Sequence, residues 1–129
     1  MEISETVTRG VRIQVRAHFV AEKSRPLAGY WLFAYTVQIS NEGKEEVQLI
    51  SRHWRITDAN DEVRDVRGPG VVGEQPVLAP GETFEYSSFC PLATPFGTME
   101  GSYQMLTENG ETFDAQIAPF VLSEPTTVH

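Results

Sequence analysis

Arg67-Gly68-Pro69-Gly70-Val71-Val72-Gly73-Glu74-Gln75-Pro76 is the stretch on which the reading of the fold turns. Its glycines, Gly68, Gly70 and Gly73, stand at G-x-G-x-x-G spacing near the middle of the chain. A dinucleotide fingerprint needs that spacing between a strand and a helix, because the helix N-terminus receives the pyrophosphate. A strand fits before Gly68. After Gly73 come Glu74, Gln75, Pro76, Pro80 and Gly81, which cannot open a helix of useful length. No Walker-type lysine follows either. The doubly wound nucleotide fold therefore fails on context. The stretch reads instead as a Gly- and Pro-rich crossover between two sheets. A nest of backbone N–H groups around an anion stays open as a second reading. Arg67 is the cation inside the stretch, Pro69 removes one donor, and Glu74 adds negative charge.

The flanking sequence is built of short strands. Val11, Ile13, Val15, Ala17 and Phe19 alternate with Arg12, Gln14, Arg16 and His18, which predicts a half-buried strand. Residues 21–29 read as a loop. In 30–40, Trp31, Phe33, Tyr35, Val37 and Ile39 share one face, and this is the expected central strand. Asn41-Glu42-Gly43-Lys44 reads as a hairpin-type turn. The next strand, 46–57, changes phase: Val47 and Leu49 share one parity, Ile50, Trp54 and Ile56 the other. A bulge near 49–51 reconciles the halves. Asp58-Ala59-Asn60-Asp61 is a turn before a short strand at 62–67. Pro80-Gly81 suits a type II turn. Residues 83–89 alternate, 90–97 read as a loop, and Asn109-Gly110 joins strands at 98–106 and 112–122. Pro119 marks a bulge or an edge there. No segment holds a helical period. Seven or eight strands with regular turn signals predict an all-β fold, an antiparallel β-sandwich of immunoglobulin-like size.

The chain has 129 residues and a net charge of −8, which suits one domain and argues against sequence-independent nucleic-acid binding. No apolar run is long enough to span a bilayer, and Met1-Glu2-Ile3-Ser4-Glu5 lacks the features of a secretion signal. The single cysteine, Cys90, fits a reducing compartment. The expectation is a cytoplasmic protein without membrane contact. All ten Lys and Arg lie at or before Arg67, whereas eight acidic residues and no basic ones follow. Pairing of N-terminal arginines with C-terminal glutamates is the simpler account, and a basic face able to hold an anion the sharper one.

Chemistry-bearing groups are sparse. In Ser51-Arg52-His53-Trp54-Arg55, alternation sends Arg52 and Trp54 one way and His53 and Arg55 the other. Both arginines can clamp one ligand only if the backbone is irregular. His53 is the best titrating candidate and His18 reads as a solvated surface residue. Three histidines and one cysteine show no zinc-type spacing. Cys90, between Phe89 and Pro91, reads as a small buried hydrophobe. Ser87-Ser88 lacks a nucleophile elbow. No catalytic group, metal or cofactor is indicated.

The chain resembles the ApaG family across 3–125. The resemblance is carried by Phe33-Ala34-Tyr35-Thr36-Val37, Leu49-Ile50-Ser51-Arg52-His53-Trp54, Ile56-Thr57-Asp58-Ala59, Val66-Arg67 with the glycine stretch that follows, Leu78-Ala79-Pro80-Gly81-Glu82 and Gly97-Thr98-Met99-Glu100-Gly101-Ser102-Tyr103. It implies a single fibronectin type III-like β-sandwich from a bacterium; the polar end of the chain, 126–129, reads from its composition as a frayed tail. In that family the gene commonly neighbours those for diadenosine tetraphosphate hydrolase and a ribosomal RNA dimethyltransferase. Related domains serve as interaction modules in F-box proteins and in a DNA polymerase delta-interacting protein, and some members are associated with magnesium and cobalt handling. The family's glycine motif, proposed as a pyrophosphate site, maps onto Gly68, Gly70 and Gly73. No enzymatic activity is established for that family, so the resemblance carries none over. The expectation is a non-catalytic protein-interaction module. The alternative is a pyrophosphate- or nucleotide-binding accessory protein. Under either, the candidate loop is Arg67, Gly68, Gly70, Val71, Val72, Gly73 and Glu74, with Arg52 and His53 in support.

Overall fold

The aromatic strand Trp31–Asn41 (β3) lies inside a sheet, as its apolar row requires, with Phe33, Val37 and Ile39 fully buried. The computed structural model describes residues 2–125; the tail at 126–129 lies outside them. Among the described residues the other strands are β1 (Glu2–Thr8), β2 (Val11–Phe19), β4 (Val47–Asp58), β5 (Val63–Pro69), β6 (Val77–Leu78), β7 (Thr83–Leu92), β8 (Phe96–Thr107) and β9 (Thr112–Ser123). They form two antiparallel sheets, β1-β2-β3-β7 and β5-β4-β8-β9, with β6 pairing on β4 beside β5. The inner faces meet in one core, so the β-sandwich reading holds. Trp54 is at its centre. The ring of Tyr35 lies 5.3 Å from it, that of Phe120 6.0 Å and that of Tyr103 6.2 Å, each edge-on. The hydroxyls of Tyr86 and Tyr103 share a buried hydrogen bond of 2.5 Å.

Several local expectations hold and several do not. The register of β4 against β8 shifts between Leu49 and Ser51, where the phase change placed a bulge. A second shift, between Met99 and Gly101, sets the Ala118-Pro119 pair of β9 outside the ladder. Strand β1 was not anticipated because its pattern is inverted: Ser4 faces the core, while Ile3 and Val7 are exposed. The expected loop at 90–97 is shorter, since β7 continues through Cys90-Pro91-Leu92 as an edge strand on which proline is tolerated. Asn41-Glu42-Gly43-Lys44 is not a hairpin. Strands β3 and β4 belong to different sheets, and the segment crosses between them. Nor is the glycine stretch a crossover. It joins β5 to β6, and both pair with the same edge of β4. The chain returns to the first sheet only through Ala79-Pro80-Gly81-Glu82.

Both crossings converge on Asn41, which is 1% exposed. Its Nδ2 donates to the carbonyls of Glu45 and Leu78, each at 2.9 Å, and its Oδ1 accepts from the Gly43 amide at 3.0 Å. Its backbone N–H donates to Glu82 O at 2.9 Å, and its carbonyl accepts from Gly81 N–H at 2.7 Å. One buried amide therefore ties the exit of β3, the entry to β4 and the end of β6. Asn41→Leu keeps the volume but leaves two carbonyls and an N–H without these partners. Urea denaturation should show a loss of about 3 kcal/mol. A loss below about 1 kcal/mol would mean that other contacts hold the crossings.

Candidate functional site

The site grows from the bulge in β4. There the Ile50 carbonyl points out of the β4–β8 ladder and accepts two bonds from the glycine stretch, from Gly70 N–H at 2.8 Å and from Gln75 Nε2 at 2.9 Å. Leu49 N–H donates to Pro76 O at 3.0 Å. Between these anchors the loop folds on itself. Val71 N–H donates to Glu74 O at 2.8 Å and Glu74 N–H to Val71 O at 2.9 Å. The two residues between them, Val72 and Gly73, both have positive φ, +43° and +81°. This is the backbone pattern of a tight two-residue hairpin turn. Val71 enters the core, 1% exposed, while Val72 stands out at 57%. Gly70 has φ +58°, and a Cβ there would lie 2.2 Å from Glu74 O.

Arg52 shares the parity of Trp54, and its guanidinium closes the loop from below. Nη1 donates to Pro69 O at 3.0 Å and to Gly70 O at 2.9 Å. A Cβ on Gly68 would lie 2.9 Å from Arg52 Nη2, so this glycine makes room for the guanidinium. The loop amides of Gly70, Val71 and Glu74 are thus donated to backbone carbonyls, and Arg52 is turned toward carbonyl oxygens.

His53 takes the opposite face, as alternation requires, and is the cross-strand neighbour of Arg67. Its Nε2 meets Asp65 Oδ1 at 2.7 Å, and Arg55 Nε lies 3.5 Å from the same oxygen. The hydrogen bond to His53, reinforced by the charge of Arg55, holds the Asp65 carboxyl below its ordinary pKa. Arg67 makes none of the ion pairs formed by the described residues. It borders a polar shelf of about 550 Å³ with His53, Ser51, Gln75, Gln104 and Asp114. Of the predicted site residues, the structure brings Arg67, Gly68 and His53 onto this shelf. Arg52 lines its inner edge, and Val72 projects at the tip of the hairpin.

The N-terminal arginines are largely paired. Arg12 meets Glu5 at 2.8 Å and Glu42 at 2.9 Å, Arg16 meets Glu85 at 3.2 Å, and Arg9 meets Glu45 at 3.4 Å and Glu111 at 3.7 Å. Arg16–Glu85 and Arg9–Glu111 are the expected pairs between the basic and acidic parts of the chain.

A second concavity was missed in the sequence. At the margin formed by β5 and β7 the sandwich leaves a cleft of about 350 Å³, lined by Tyr35, Trp54, Ile56, Val66 and Met99 within and by Arg52, Arg64, Ser88 and Cys90 around them. Arg64 spans it, donating to Pro91 O at 3.1 Å and approaching Cys90 Sγ at 3.8 Å. The signal was present as the shared parity of Arg64 and Val66, but such a short strand does not reveal what it faces. Among the described residues no three His, Cys, Asp or Glu side chains gather closely enough to hold a metal ion, and no helix is long and apolar enough to cross a membrane.

Comparison with known proteins gives a consistent picture. The sequence profile described as ApaG domain matches residues 21–107. The Protein ApaG of Thiobacillus denitrificans is 57% identical over 92% of this chain and 94% of its own. That of Methylobacterium sp. is 55% identical over 92% of this chain and 91% of its own. A crystal structure of an ApaA protein from Bordetella pertussis superposes with a TM-score of 0.88 at 53% identity, covering 91% of this chain and 95% of that one.

Two expectations follow from the geometry. Gly70→Ala meets both positive φ and a backbone oxygen, and should cost about 3 kcal/mol. Gly73→Ala has open space around its Cβ and should cost only about 1 kcal/mol. Urea denaturation of both variants tests this; equal losses would contradict it. The second concerns alkali. Burial pushes the Cys90 thiol from 9.0 up to about 11, and raises the phenols of Tyr35, Tyr86 and Tyr103 above their ordinary 10.0. The folded state holds these protons more tightly than the unfolded chain. Stability should therefore be intact below about pH 9 and fall as the pH rises toward 11. Denaturant midpoints measured from neutral pH upward should show that fall, with a shallower slope in Tyr86→Phe. A flat profile would contradict it.

Proposed function

The chain belongs to the ApaG domain family, and from that premise we propose that it works as a non-catalytic protein-interaction module in the cytoplasm, offering the hairpin at 71–74 to a protein partner. The carrying observation is Val72. A β-branched residue in the left-handed region costs roughly 1–2 kcal/mol, and a hairpin turn of this kind would form more easily with Asn or Gly there. Val72 is nevertheless held at φ +43° with its side chain 57% exposed. Backbone strain of this sort persists where the surroundings enforce it, and it gathers at functional sites. Here the surroundings are Val71 in the core, Gly70 against Glu74 and Arg52 on the loop carbonyls. The result is a rigid apolar knob beside a polar shelf, the arrangement of an anchor residue with a hydrogen-bonding rim.

A second reading draws on Arg67. Without an ion pair among the described residues and next to His53, it could hold the phosphates of pyrophosphate or a nucleotide on the shelf. Against the nest form of that reading, Gly70, Val71 and Glu74 already donate their N–H groups to carbonyls within the fold. Roles in diadenosine tetraphosphate or magnesium and cobalt homeostasis rest on the family resemblance alone.

The tests separate the two. Cys90 is buried, so Val72→Cys gives a single accessible thiol for a photoreactive label. Cross-linking in cell extract should yield one discrete protein adduct. Excess unlabelled wild-type chain should suppress it; excess Val72→Asn should not. The same Val72→Asn change should raise stability by about 1 kcal/mol, because Asn tolerates the left-handed backbone. An adduct pattern matching that from a label at Thr112→Cys would refute the interaction surface. Titration of pyrophosphate, ATP and diadenosine tetraphosphate, followed at the amides of 67–75 and the ring of His53, examines the second reading. Saturable shifts lost in Arg67→Gln would favour it over the first.

A further inference from the structure

The cleft between β5 and β7 has the make-up of a ligand site, independent of the hairpin. Its volume, about 350 Å³, is that of a pocket for a small organic molecule. Its floor is aromatic and aliphatic: Tyr35, Trp54, Ile56, Val66 and Met99. Two guanidiniums line it and no carboxylate does. That is notable in a chain of net charge −8, and it contrasts with the shelf, which Asp114 borders. Neither Arg52 nor Arg64 takes part in the ion pairs of the described residues. Arg52 spends Nη1 on the loop carbonyls. Arg64 spends only Nη2, on Pro91 O with Cys90 Sγ nearby. A guanidinium has five N–H donors, so most of the Arg64 fork is still available. Trp54, 2% exposed, contributes its ring to the floor, while its Nε1–H is sealed inside the core on the side of the Tyr86 hydroxyl.

We propose that this cleft binds a small organic carboxylate with an aromatic body, its carboxylate on Arg64 and its ring against Trp54, Val66 and Met99. The two halves of such a ligand match the two halves of the site. A guanidinium fork meets a carboxylate in a bidentate, charge-assisted pair. The apolar floor removes the ring from water and lowers the local dielectric, which strengthens that pair. Arg52 at the other end adds positive potential, and the protonated Cys90 thiol adds no opposing charge. A phosphate ester or free pyrophosphate would leave the apolar floor uncovered. A neutral aromatic would leave the guanidinium without a partner.

The full chain serves for the test, with phenylacetate and 3-phenylpropionate as probes and their neutral amides as controls. Binding is followed by amide and indole resonances, with the Trp54 Nε1–H, Val66 and Phe89 as reporters of the cleft and Val72 and Gly73 as reporters of the hairpin. The acids should shift the cleft reporters saturably, and the hairpin reporters should stay still. The amides should bind weaker by about tenfold or more, the worth of a charge-assisted hydrogen bond. Arg64→Gln should weaken the acids by a similar factor and leave the amides unchanged, which a mere change of fold would not do. Val66→Trp should fill the cleft and abolish binding of both, while the dispersed spectrum reports that the chain is folded. Acids and amides binding equally well, shifts centred on the shelf around His53 and Arg67, or cleft reporters unmoved at millimolar probe would each overturn the proposal.

Discussion

The carbonyl of Ile50 is the constraint on which the half of the sandwich that carries the glycine loop depends. A regular β4 would bury this group in a ladder with one partner. The bulge turns it sideways, and Gly70 N–H and Gln75 Nε2 satisfy it from the glycine loop. That single irregularity has two consequences. It reverses the phase of β4, so that Val47 and Leu49 on one side of it and Trp54 and Ile56 on the other all reach the same core. It also opens a gap in the β5–β6 edge, which the loop fills by sending Val71 inward. The bulge and the glycine loop are therefore one structural unit written in two separated stretches of sequence. Each supports the other, because without the loop the Ile50 carbonyl would lose both protein partners and the core position that Val71 fills would be empty.

This coupling divides the glycine stretch by role. Gly68 makes room for Arg52, and Gly70 makes room for Glu74 O. Both are demanded by the fold, so the G-x-G part of the spacing needs no ligand to explain it. Gly73 supplies positive φ in open space, and its neighbour Val72 adopts the same conformation without the glycine that would make it easy. The feature that the fold does not demand is thus a valine rather than a glycine. The same glycines that suggest phosphate chemistry by their spacing hold a hairpin whose exposed tip is apolar.

How far the sequence could be read follows from which forces act locally. Alternation in β2, β3, β7 and β8 reports burial directly, and a phase change within one strand was enough to locate the bulge at 49–51. Strand β1 was invisible because it is held by pairing to β2 and packing near β9 rather than by an apolar face; Thr8 Oγ1 accepts from Gln116 N–H at 3.1 Å, and Ser4 points inward. Asn41-Glu42-Gly43-Lys44 has the composition of a hairpin, yet composition reports only that the chain turns, not which sheet it turns into. That is decided by Asn41, whose partners Leu78 and Glu82 lie far along the chain. The split of Arg52 and His53 onto opposite faces was legible. The pairing of His53 with Asp65 and the cleft facing Arg64 were not, since both depend on the register of β5 against β4 and on where β7 lies.

Strand β5 is the least buried of the long-paired strands, with Val63, Arg64, Asp65, Arg67 and Pro69 all exposed. Its contribution to the core is correspondingly small. Yet its two faces look onto different surfaces. Arg64 and Val66 turn toward the cleft, Gly68 lies against Arg52 at the rim of the shelf, and Asp65 and Arg67 turn toward His53. Its end delivers the chain into the hairpin. An exposed edge of this kind invites unwanted pairing with other strands, and shortness, charge and a terminal proline all counter that tendency. The opposite margin, where β1 packs against β9, has a concavity of its own, about 300 Å³ around Glu2, His18, Phe19 and Val121. What sets β5 apart is its charge and its shortness. Substitutions there should disturb the fold little, because the burial that stabilises the domain lies chiefly in β2, β3, β4, β8 and β9.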